Sequence, residues 1–317
     1  MSRRIVVAGG RGFLGATITD RLRARGDAVT VLTRSRAAEG EAEWNGRSLG
    51  EWAASLDGAD AVINLCGRSV DCRHTARNRR AIMMSRLEST RAIGQAVAEC
   101  TRPPAVWLNA STAVIYHPSD QLPCNEDSPI GDSLAARTRF DIRVATAWER
   151  ELRLAPAKDT RKVALRIGMV LGNGTNSAFP ILCRLARFGL GGPLAGGAQC
   201  VSWVHELDVA NAVDWLIARV GIEGPVNVVS PSPVTNAALM AAIREALGVT
   251  FGVALPGAAL KIGGIVLRTE PAMVMRGHLV VPQRLLESGF AFAYPDLADA
   301  VGNLVADGQR DTSPVRT

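Results

Sequence analysis

This 317-residue chain contains few lysines and only two tyrosines, and its cysteines are not arranged in pairs. None of its six cysteines lies in a CxxC pair, and no group of histidines and cysteines has the spacing of zinc ligands. We therefore predict no metal site and reduced thiols. The first apolar run ends at Gly9, and the run at residues 253–267 is broken by Pro256, Gly257 and Lys261. The sequence thus predicts a cytoplasmic protein with no signal peptide and no membrane-spanning segment.

Positive charge is in modest excess and is spread along the chain. The formal net charge is +6, and nearly all of the basic residues are arginines. No basic tail or aromatic-interleaved basic stripe is present, so we predict no nucleic-acid partner. The densest basic cluster, at residues 73–80, is interpreted as a solvated helix face, with a basic rim for an acidic substrate as the alternative.

A glycine-rich turn follows the first apolar run. Residues 9–15 read GGRGFLG, between an apolar run at residues 4–8 and a segment with helical spacing. Strand, glycine turn and helix in this order are typical of a dinucleotide-binding site. Gly9 would make the tight turn, Gly12 would let the backbone approach a pyrophosphate, and Gly15 would let the helix pack on the sheet. Phe13 and Leu14 would open the helix whose N-terminus holds the anion.

The end of the second predicted strand lacks the acidic residue of a typical NAD site. Thr33 and Arg34 stand there instead, in the sequence TRSR. A guanidinium suits the 2′-phosphate of NADP, and Arg11 in the glycine turn can approach the same group. We therefore predict a preference for NADP(H) over NAD(H), with a merely solvated Arg34 as the alternative.

Strands and helices alternate through the first two thirds of the chain. Strands are predicted at residues 4–8, 28–33, 60–65, 105–110, 162–167 and 226–229, and helices at 12–25, 49–56, 75–100, 138–154 and 209–220. Residues 118–132 and 172–197 are predicted to be irregular. The alternation predicts an α/β fold, a Rossmann-type doubly wound parallel sheet with its ligands beyond the carboxyl ends of the strands.

We predict two lobes. Residues 1–170, joined by residues 201–230, form the NADP-binding Rossmann domain. Residues 171–200 and 231–306 form a smaller C-terminal substrate-binding lobe, and residues 307–317 are a flexible tail.

Several segments of the chain together resemble a known group, the extended short-chain dehydrogenase/reductase superfamily. They are GGRGFLG, VTVLTR, DAVINLCG, SRLESTR and LRIGMVLG, and the later segments RFGLGGPLAGG, WVHELDVA, PVNVVSP and GFAFAYPDLADAV resemble its atypical "epimerase family protein" branch, which has a C-terminal domain of unknown function. The resemblance implies NADP contacts at the glycine turn, Thr33, Arg34, Asn64, Leu65, Arg86 and Val170. The small residues Cys66 and Gly67 leave room beside the adenosine. Arg86 paired with Glu88 or Glu99 on a helix surface is the alternative.

The superfamily's usual proton donor is a tyrosine with a lysine four residues further on. The only tyrosines are Tyr116 and Tyr294, and the residues four positions after them are Asp120 and Ala298. The standard Tyr–Lys relay is therefore absent. An unassisted phenol has a pKa near 10 and is a weak acid at neutral pH.

Other side chains remain as catalytic candidates. Ser111 ends a predicted strand where the superfamily places its catalytic Ser or Thr, and its hydroxyl could hydrogen-bond a substrate carbonyl. Tyr116 and His117 follow, and either could donate a proton. His205 either borders the pocket or is a structural histidine bonded to Glu206 or Asp208.

The leading hypothesis is an NADP(H)-dependent oxidoreductase acting on a small-molecule carbonyl, imine or activated alkene. The first alternative is a non-catalytic NADP-binding regulator or scaffold, and the second is an NAD(P)-dependent epimerase. Pairing through the helices at residues 75–100 and 138–154 would give a homodimer, by analogy with the superfamily.

Overall fold

The computed structural model describes residues 2–35, 37–130, 139–175, 177–260 and 277–311. Its centre is a seven-stranded sheet in which every neighbouring pair is parallel. The strands lie in the order β3 (Glu41–Glu43), β2 (Ala28–Thr33), β1 (Arg4–Ala8), β4 (Ala61–Asn64), β5 (Val106–Thr112), β7 (Arg161–Ile167) and β11 (Gly224–Val228). The strand order reverses between β1 and β4, which is where open α/β sheets leave a crevice for ligands. The predicted α/β, doubly wound Rossmann-type fold is confirmed.

The elements follow the chain in this order. The strands are β1 (Arg4–Ala8), β2 (Ala28–Thr33), β3 (Glu41–Glu43), β4 (Ala61–Asn64), β5 (Val106–Thr112), β6 (Ser119–Cys124), β7 (Arg161–Ile167), β8 (Met169–Leu171), β9 (Cys200–Val201), β10 (Trp203–His205), β11 (Gly224–Val228), β12 (Val234–Thr235) and β13 (His278–Val280). The helices are α1 (Phe13–Ala24), α2 (Ala76–Glu99), α3 (Phe140–Leu154), α4 (Phe179–Arg187), α5 (Glu206–Ala218), α6 (Asn236–Ala246), α7 (Gln283–Glu287) and α8 (Leu297–Asp311), with short 3-10 helices at Glu51–Leu56 and Ala113–Ile115.

Both faces of the central sheet are covered, as a parallel sheet requires. Successive residues of a strand point to opposite faces, so Trp107 packs under α2 and α3 whereas Leu108 packs on the side of α1 and α5. These strands are accordingly apolar at almost every position. A charged residue within one of them, such as Arg166 in β7, is an exception that needs a partner.

Two predictions of irregular structure were wrong. Residues 118–132 contain β6, which pairs with the distant strand β13, a partner that local sequence does not reveal. Residues 172–197 contain α4, which was not predicted because the glycines around it favour irregular structure. Residues 131–132 and 176 of these segments lie outside the described residues. The helix α8 extends to Asp311, and the flexible tail from residue 307 stays a prediction, with residues 312–317 outside the described part of the chain.

A separate core lies beyond the central sheet. Phe179 of α4, Met240 of α6 and Leu304 of α8 are buried in it together with Trp203. Some of the segments that form this core precede β11 in the sequence and others follow it. The chain therefore leaves the central sheet, returns to it at β11 and leaves it again. The division into lobes at residues 170, 200, 230 and 306 stays a prediction.

Candidate functional site

The glycine turn between β1 and α1 is held by close backbone approaches. Gly9 has a φ of +84°, and its carbonyl accepts a hydrogen bond of 3.0 Å from the amide of Gly12. A Cβ on Gly15 would lie 2.2 Å from the Gly9 oxygen, a distance that no side chain can tolerate. A Cβ on Gly12 would meet only that same oxygen, at 3.3 Å. The turn therefore packs tightly on its inner side and leaves room on its outer side.

The N-terminus of α1 faces this room. Gly12 is the N-cap residue and has no side chain to cap the helix, and the first turn carries no acidic residue. The first amide groups of a helix have no intrahelical acceptor, and the helix dipole favours an anion there. Phe13 and Leu14 begin the helix at the predicted place, so the geometry fits a pyrophosphate.

A second loop is joined to the glycine turn from the C-terminal half of the chain. Added Cβ atoms on Gly172 and Gly174 would lie 2.5 and 2.2 Å from ring atoms of Phe13, so the ring packs against these two glycines. Glu206 accepts hydrogen bonds from the Asn173 amide and from Thr17 of α1, each of 3.1 Å. Val170, in the adjoining strand β8, is partly buried against the main core.

At the end of β2 the arginines differ in their pairing. Arg11 forms a two-pronged ion pair with Glu41 of β3, which raises the pKa of the Arg11 guanidinium, and it also donates to the Ser35 hydroxyl. The carboxylate missing from the end of β2 is thus supplied from β3. Arg34 is exposed and pairs with no carboxylate of the described residues. Its guanidinium is therefore a positive charge with no carboxylate partner among the described residues, and Thr33 beside it is buried.

The end of β4 lies against the glycine turn. A Cβ on Gly9 would be 3.1 Å from the carbonyl carbon of Leu65, so the two backbones are in contact. The buried Asn64 side chain accepts from the Cys66 amide at 3.1 Å and donates to Asn109 at 2.7 Å. It shapes the strand end and presents the backbone of residues 65–67 to the crevice. Burial raises the pKa of the Cys66 thiol to about 12, against the pull of nearby Arg34, so the thiol stays protonated.

Among the described residues, the Arg86 guanidinium has no anionic partner. It stacks over Trp148 at 5.0 Å, and its hydrogen bonds within that part of the chain go to the carbonyls of Arg68 and Ile82. Burial lowers its pKa to about 10, which still leaves it charged at neutral pH. Its guanidinium carbon would be 3.0 Å from a Cβ on Gly67. The alternative partner Glu88 is instead paired with Arg47, at 3.0 Å.

We call these residues, the glycine turn with Thr33, Arg34, residues 64–67 and Arg86, the cofactor corner. It contains every cofactor residue predicted from the sequence except two. Ser111 lies on the neighbouring strand β5, and Val170 lies on β8. A dinucleotide needs this set of groups: a glycine turn for the pyrophosphate, cations for the phosphates and a small-residue strand end for the adenosine.

Ser111 belongs to a second cluster. Its hydroxyl donates to Glu149 of α3 at 2.6 Å. Arg166 of β7 donates two hydrogen bonds of 2.8 Å to the same carboxylate, and it donates a third, of 2.7 Å, to the Tyr116 hydroxyl. Tyr116 in turn donates to Asn227 of β11 at 2.7 Å. We call these five residues the Arg166 network.

Tyr116 is not placed to give up a proton, which corrects the sequence-based proposal. Its side chain is fully buried, and burial raises its pKa to about 12 against the opposing effect of Arg166. Since Arg166 can only donate, the phenol accepts from it and directs its own proton to Asn227. The Asn227 amide nitrogen donates to the carbonyl of Val281 at 2.9 Å, so its oxygen is the acceptor.

The histidines have contrasting environments. His117 is exposed and its ring lies 3.0 Å from the carbonyl of Pro118, so it remains a candidate proton donor. His205 is buried and stacks on Tyr294 at 4.0 Å. Its Nδ1 accepts from the Leu207 amide as the N-cap of α5, and its Nε2 faces Asn303 at 3.2 Å. The structural interpretation of His205 therefore holds, with partners other than the Glu206 and Asp208 that we considered.

The basic segment before α2 also has local partners. His74 contacts Phe140 edge to face at 5.4 Å, and Arg79 lies over the same ring at 5.3 Å. Arg68 donates to Asn78 at 3.2 Å. These contacts dock the start of α2 on α3, which supports a structural part for the cluster.

Sequence reasoning missed Glu149, Arg166 and Asn227. A signal for Arg166 was present, because it interrupts an apolar strand that was expected to be buried. Glu149 lies in a predicted helix among other charged residues, and nothing local separates it from Glu151. Only the fold brings its carboxylate to the strand ends.

Two family models match the chain. A model of the NAD dependent epimerase/dehydratase family matches residues 5–228, and a model of a domain of unknown function, DUF1731, matches residues 255–304. The chain belongs to the NAD dependent epimerase/dehydratase family. The predicted resemblance to the epimerase family proteins with a C-terminal domain of unknown function is thereby confirmed.

Similar proteins occur in distant organisms. The human epimerase family protein SDR39U1 is 34% identical over 96% of this chain and its own full length, and YfhF of Bacillus subtilis is 30% identical over 96% of this chain and 98% of YfhF. A crystal structure of the human protein with NADPH superposes with a TM-score of 0.86, at 32% identity, covering 96% of this chain and 99% of that one. A nucleoside-diphosphate sugar epimerase from Corynebacterium glutamicum gives 0.76 at 25% identity, covering 98% of this chain and 61% of that one.

No helix in the described part of the chain is long and apolar enough to span a membrane.

Proposed function

We propose that this chain is an NADP(H)-dependent oxidoreductase that acts on a small molecule. The observation that carries the proposal is Arg86, a partly buried cation that no described carboxylate balances, beside Gly67 at the point where the strand order reverses. Keeping a guanidinium buried without a counter-charge costs free energy unless a ligand supplies one. A dinucleotide phosphate or ribose lying along the strand ends is such a ligand.

The choice of NADP(H) over NAD(H) rests on Arg34. Arg11 is already neutralised by Glu41, whereas Arg34 is exposed and has no described carboxylate partner at the end of β2. A 2′-phosphate there would receive charge-assisted hydrogen bonds. The human relative crystallised with NADPH supports the same choice.

The residues of the cofactor corner fit NADP(H), which when bound supplies or accepts a hydride. The glycine turn and the N-terminus of α1 would hold the pyrophosphate, and Arg34 and Arg86 would balance charge. The substrate would lie beyond β5, near Ser111. Its reacting group would be a carbonyl, an imine or an activated alkene.

The test is turnover together with binding. NADPH affinity is measured by fluorescence titration, and NADPH consumption is then followed with cyclohexanone, 2-methyl-1-pyrroline and cyclohexenone as carbonyl, imine and activated-alkene probes. We expect NADPH to bind and at least one probe to be reduced. Tight binding with no reduction of any probe would contradict an oxidoreductase and favour a regulator that only binds NADP.

The two alternatives make different demands on the site. A regulator or scaffold needs the cofactor corner but no proton path, and the absence of the Tyr–Lys pair favours it. An epimerase, which the family's description suggests, must deprotonate a substrate alcohol and return the hydride to the same molecule. Net consumption of NADPH separates an oxidoreductase from both.

The expected partner is the small-molecule substrate. A homodimer through α2 and α3 stays a prediction. Light scattering of the purified protein tests it.

A further inference from the structure

The donors and acceptors of the Arg166 network determine which atom carries the hydrogen in each of its hydrogen bonds. Arg166 carries only N–H donors, and an ionised Glu149 carries only acceptors. Both Glu149 oxygens are gripped by Arg166, at 2.8 Å each. The hydrogen between Ser111 and Glu149 therefore sits on the serine and points at the carboxylate, 2.6 Å away. Ser111 has no second hydrogen to offer a substrate.

The consequence concerns what Ser111 presents to the crevice. Ser111 is 6% exposed near the end of β5, and with its proton committed to Glu149 its oxygen can offer only lone pairs to a ligand there. A substrate carbonyl has only lone pairs as well and would meet Ser111 unfavourably, contrary to the role that we assigned from the sequence. A substrate hydroxyl would donate to Ser111.

We infer that Ser111 and Glu149 form the proton relay of this protein, in place of the missing Tyr–Lys pair, and that they serve an alcohol–carbonyl couple. Ser111 touches the substrate, and Glu149 is a positioning residue and proton store that acts through it. Arg166 keeps the carboxylate in place. The inference rests on the proposed function, because it needs a substrate beside Ser111.

The step balances in the direction of alcohol oxidation. The substrate O–H bond breaks and its proton moves to Ser111 Oγ, while the proton of Ser111 moves to Glu149 Oε1. The electron pair of the O–H bond closes the carbonyl double bond. The C–H bond breaks, and its hydride goes to the NADP⁺ of the proposed function. Carbonyl reduction is the reverse and begins with a protonated Glu149.

The surroundings favour transfer along this one path. Arg166 has 5% of its side chain exposed and Glu149 has 16%, so the pair is largely shielded while part of the Glu149 side chain reaches solvent. The polar groups on the buried side of Arg166 are Tyr116, whose hydroxyl donates to Asn227, and Glu126. The Glu126 carboxylate is engaged by the backbone amides of Asn227 and Arg284.

The experiment compares variants with NADP⁺ plus cyclohexanol and with NADPH plus cyclohexanone. Ser111→Ala removes the relay but leaves the Glu149–Arg166 pair intact. Glu149→Gln removes the proton store. Glu151→Gln is the matched control on the same helix, because Glu151 forms a surface pair with Arg91 at 2.7 Å. NADPH affinity is measured for every variant.

We expect kcat to fall about 10²- to 10⁴-fold in Ser111→Ala and Glu149→Gln, the usual range for a lost proton-transfer group. NADPH affinity should stay at the wild-type value, and Glu151→Gln should match the wild type in both measurements. Full turnover by Glu149→Gln with NADPH bound would overturn the relay alone. Failure of the wild-type protein to turn over either probe would overturn the relay. If the wild-type protein also failed to bind NADPH, that result would overturn the proposed function too.

A rescue experiment separates proton storage from structural support. Formate added to Glu149→Ala can occupy the vacated space beside Arg166 and accept the proton of Ser111. We expect formate to raise kcat in Glu149→Ala and to leave Ser111→Ala unchanged. Equal effects of formate on both variants would contradict the relay. If Glu149→Ala does not fold, the Ser111→Ala result decides, since that change leaves the ion pair in place.

Discussion

The cofactor corner and the Arg166 network lie at the same edge of one sheet but are built by different means. The corner is made mostly of backbone, with glycines in successive turns and helix amides that face a crevice. The network is made of side chains from β5, α3, β7 and β11 and from Tyr116, which follows the 3-10 helix at Ala113–Ile115. A backbone site is specified by neighbouring residues, whereas a side-chain site is specified by the whole fold.

The largest effect should come from breaking the network at its centre. Arg166→Met would leave Glu149 with a partly buried charge whose remaining hydrogen-bond partner, among the described residues, is Ser111. Removing one partner of a buried ion pair typically costs about 3–5 kcal/mol. Urea unfolding measures the loss. Arg91→Met is the control, because its pair with Glu151 is exposed and is worth under about 1 kcal/mol. Equal losses in the two variants would show that the network is not a stabilising unit.

The next effect tests a polar group that belongs to neither region. Burial lowers the pKa of His205 to about 4 from 6.5. The folded state therefore binds the proton more weakly than the unfolded state. The stability that His205 contributes is complete above pH 6.5 and is lost as the pH falls from 6.5 to about 4. The loss amounts to about 3 kcal/mol at most.

Urea titrations at neutral and acidic pH check this. His205→Asn keeps an N-cap acceptor for Leu207 but does not titrate. We expect its stability to depend less steeply on pH than that of the wild type. A slope identical to the wild type would assign the acid sensitivity to other groups.

The third effect tests the backbone nature of the cofactor corner. Gly15→Ala would place a Cβ 2.2 Å from the Gly9 oxygen and 2.7 Å from the Gly10 Cα, so the helix must move away from the turn. Overpacking of this kind costs about 1–3 kcal/mol. NADPH affinity should fall with it. Gly302→Ala in α8 is the control, since a Cβ there meets nothing within 4 Å. A Gly15→Ala protein that binds NADPH normally would contradict the packing account.

The smallest effect tests charge at the same corner. Arg34→Ala removes a cation that supports no described part of the fold, so stability should not change. NADPH affinity should fall by about tenfold or more, since a hydrogen bond to a charged group is worth about 1.5–3 kcal/mol. NADH affinity should stay constant. Arg21→Ala, an exposed arginine on α1, is the control. Unchanged selectivity in Arg34→Ala would show that another group reads the 2′-phosphate.

The difference between the regions also decides what sequence could predict. The glycine turn, the strand ends and the parallel sheet follow from local spacing, and they were predicted within a few residues. Glu41 was missed because only the pairing of β3 with β2 brings it to Arg11. The strand β6 was missed for the same reason, since its partner β13 lies far along the chain.

The network could not be predicted at all, apart from Ser111 and Tyr116. Its residues are spread over more than a hundred positions, and apart from Arg166, which interrupts an apolar strand, the missed ones have an ordinary local context. The sequence did show that the Tyr–Lys pair is missing. It could not show that a carboxylate stands behind Ser111, because that depends on how α3 is packed over β5 and β7.

The most direct test of the central claim is a paired titration of the wild-type protein with NADPH and NADH. The free Arg34 and the uncompensated Arg86 predict that both nucleotides bind and that NADPH binds at least about tenfold more tightly, the worth of one charge-assisted contact. Equal affinities would contradict the assigned role of Arg34. Absence of binding by either nucleotide would contradict the cofactor corner itself.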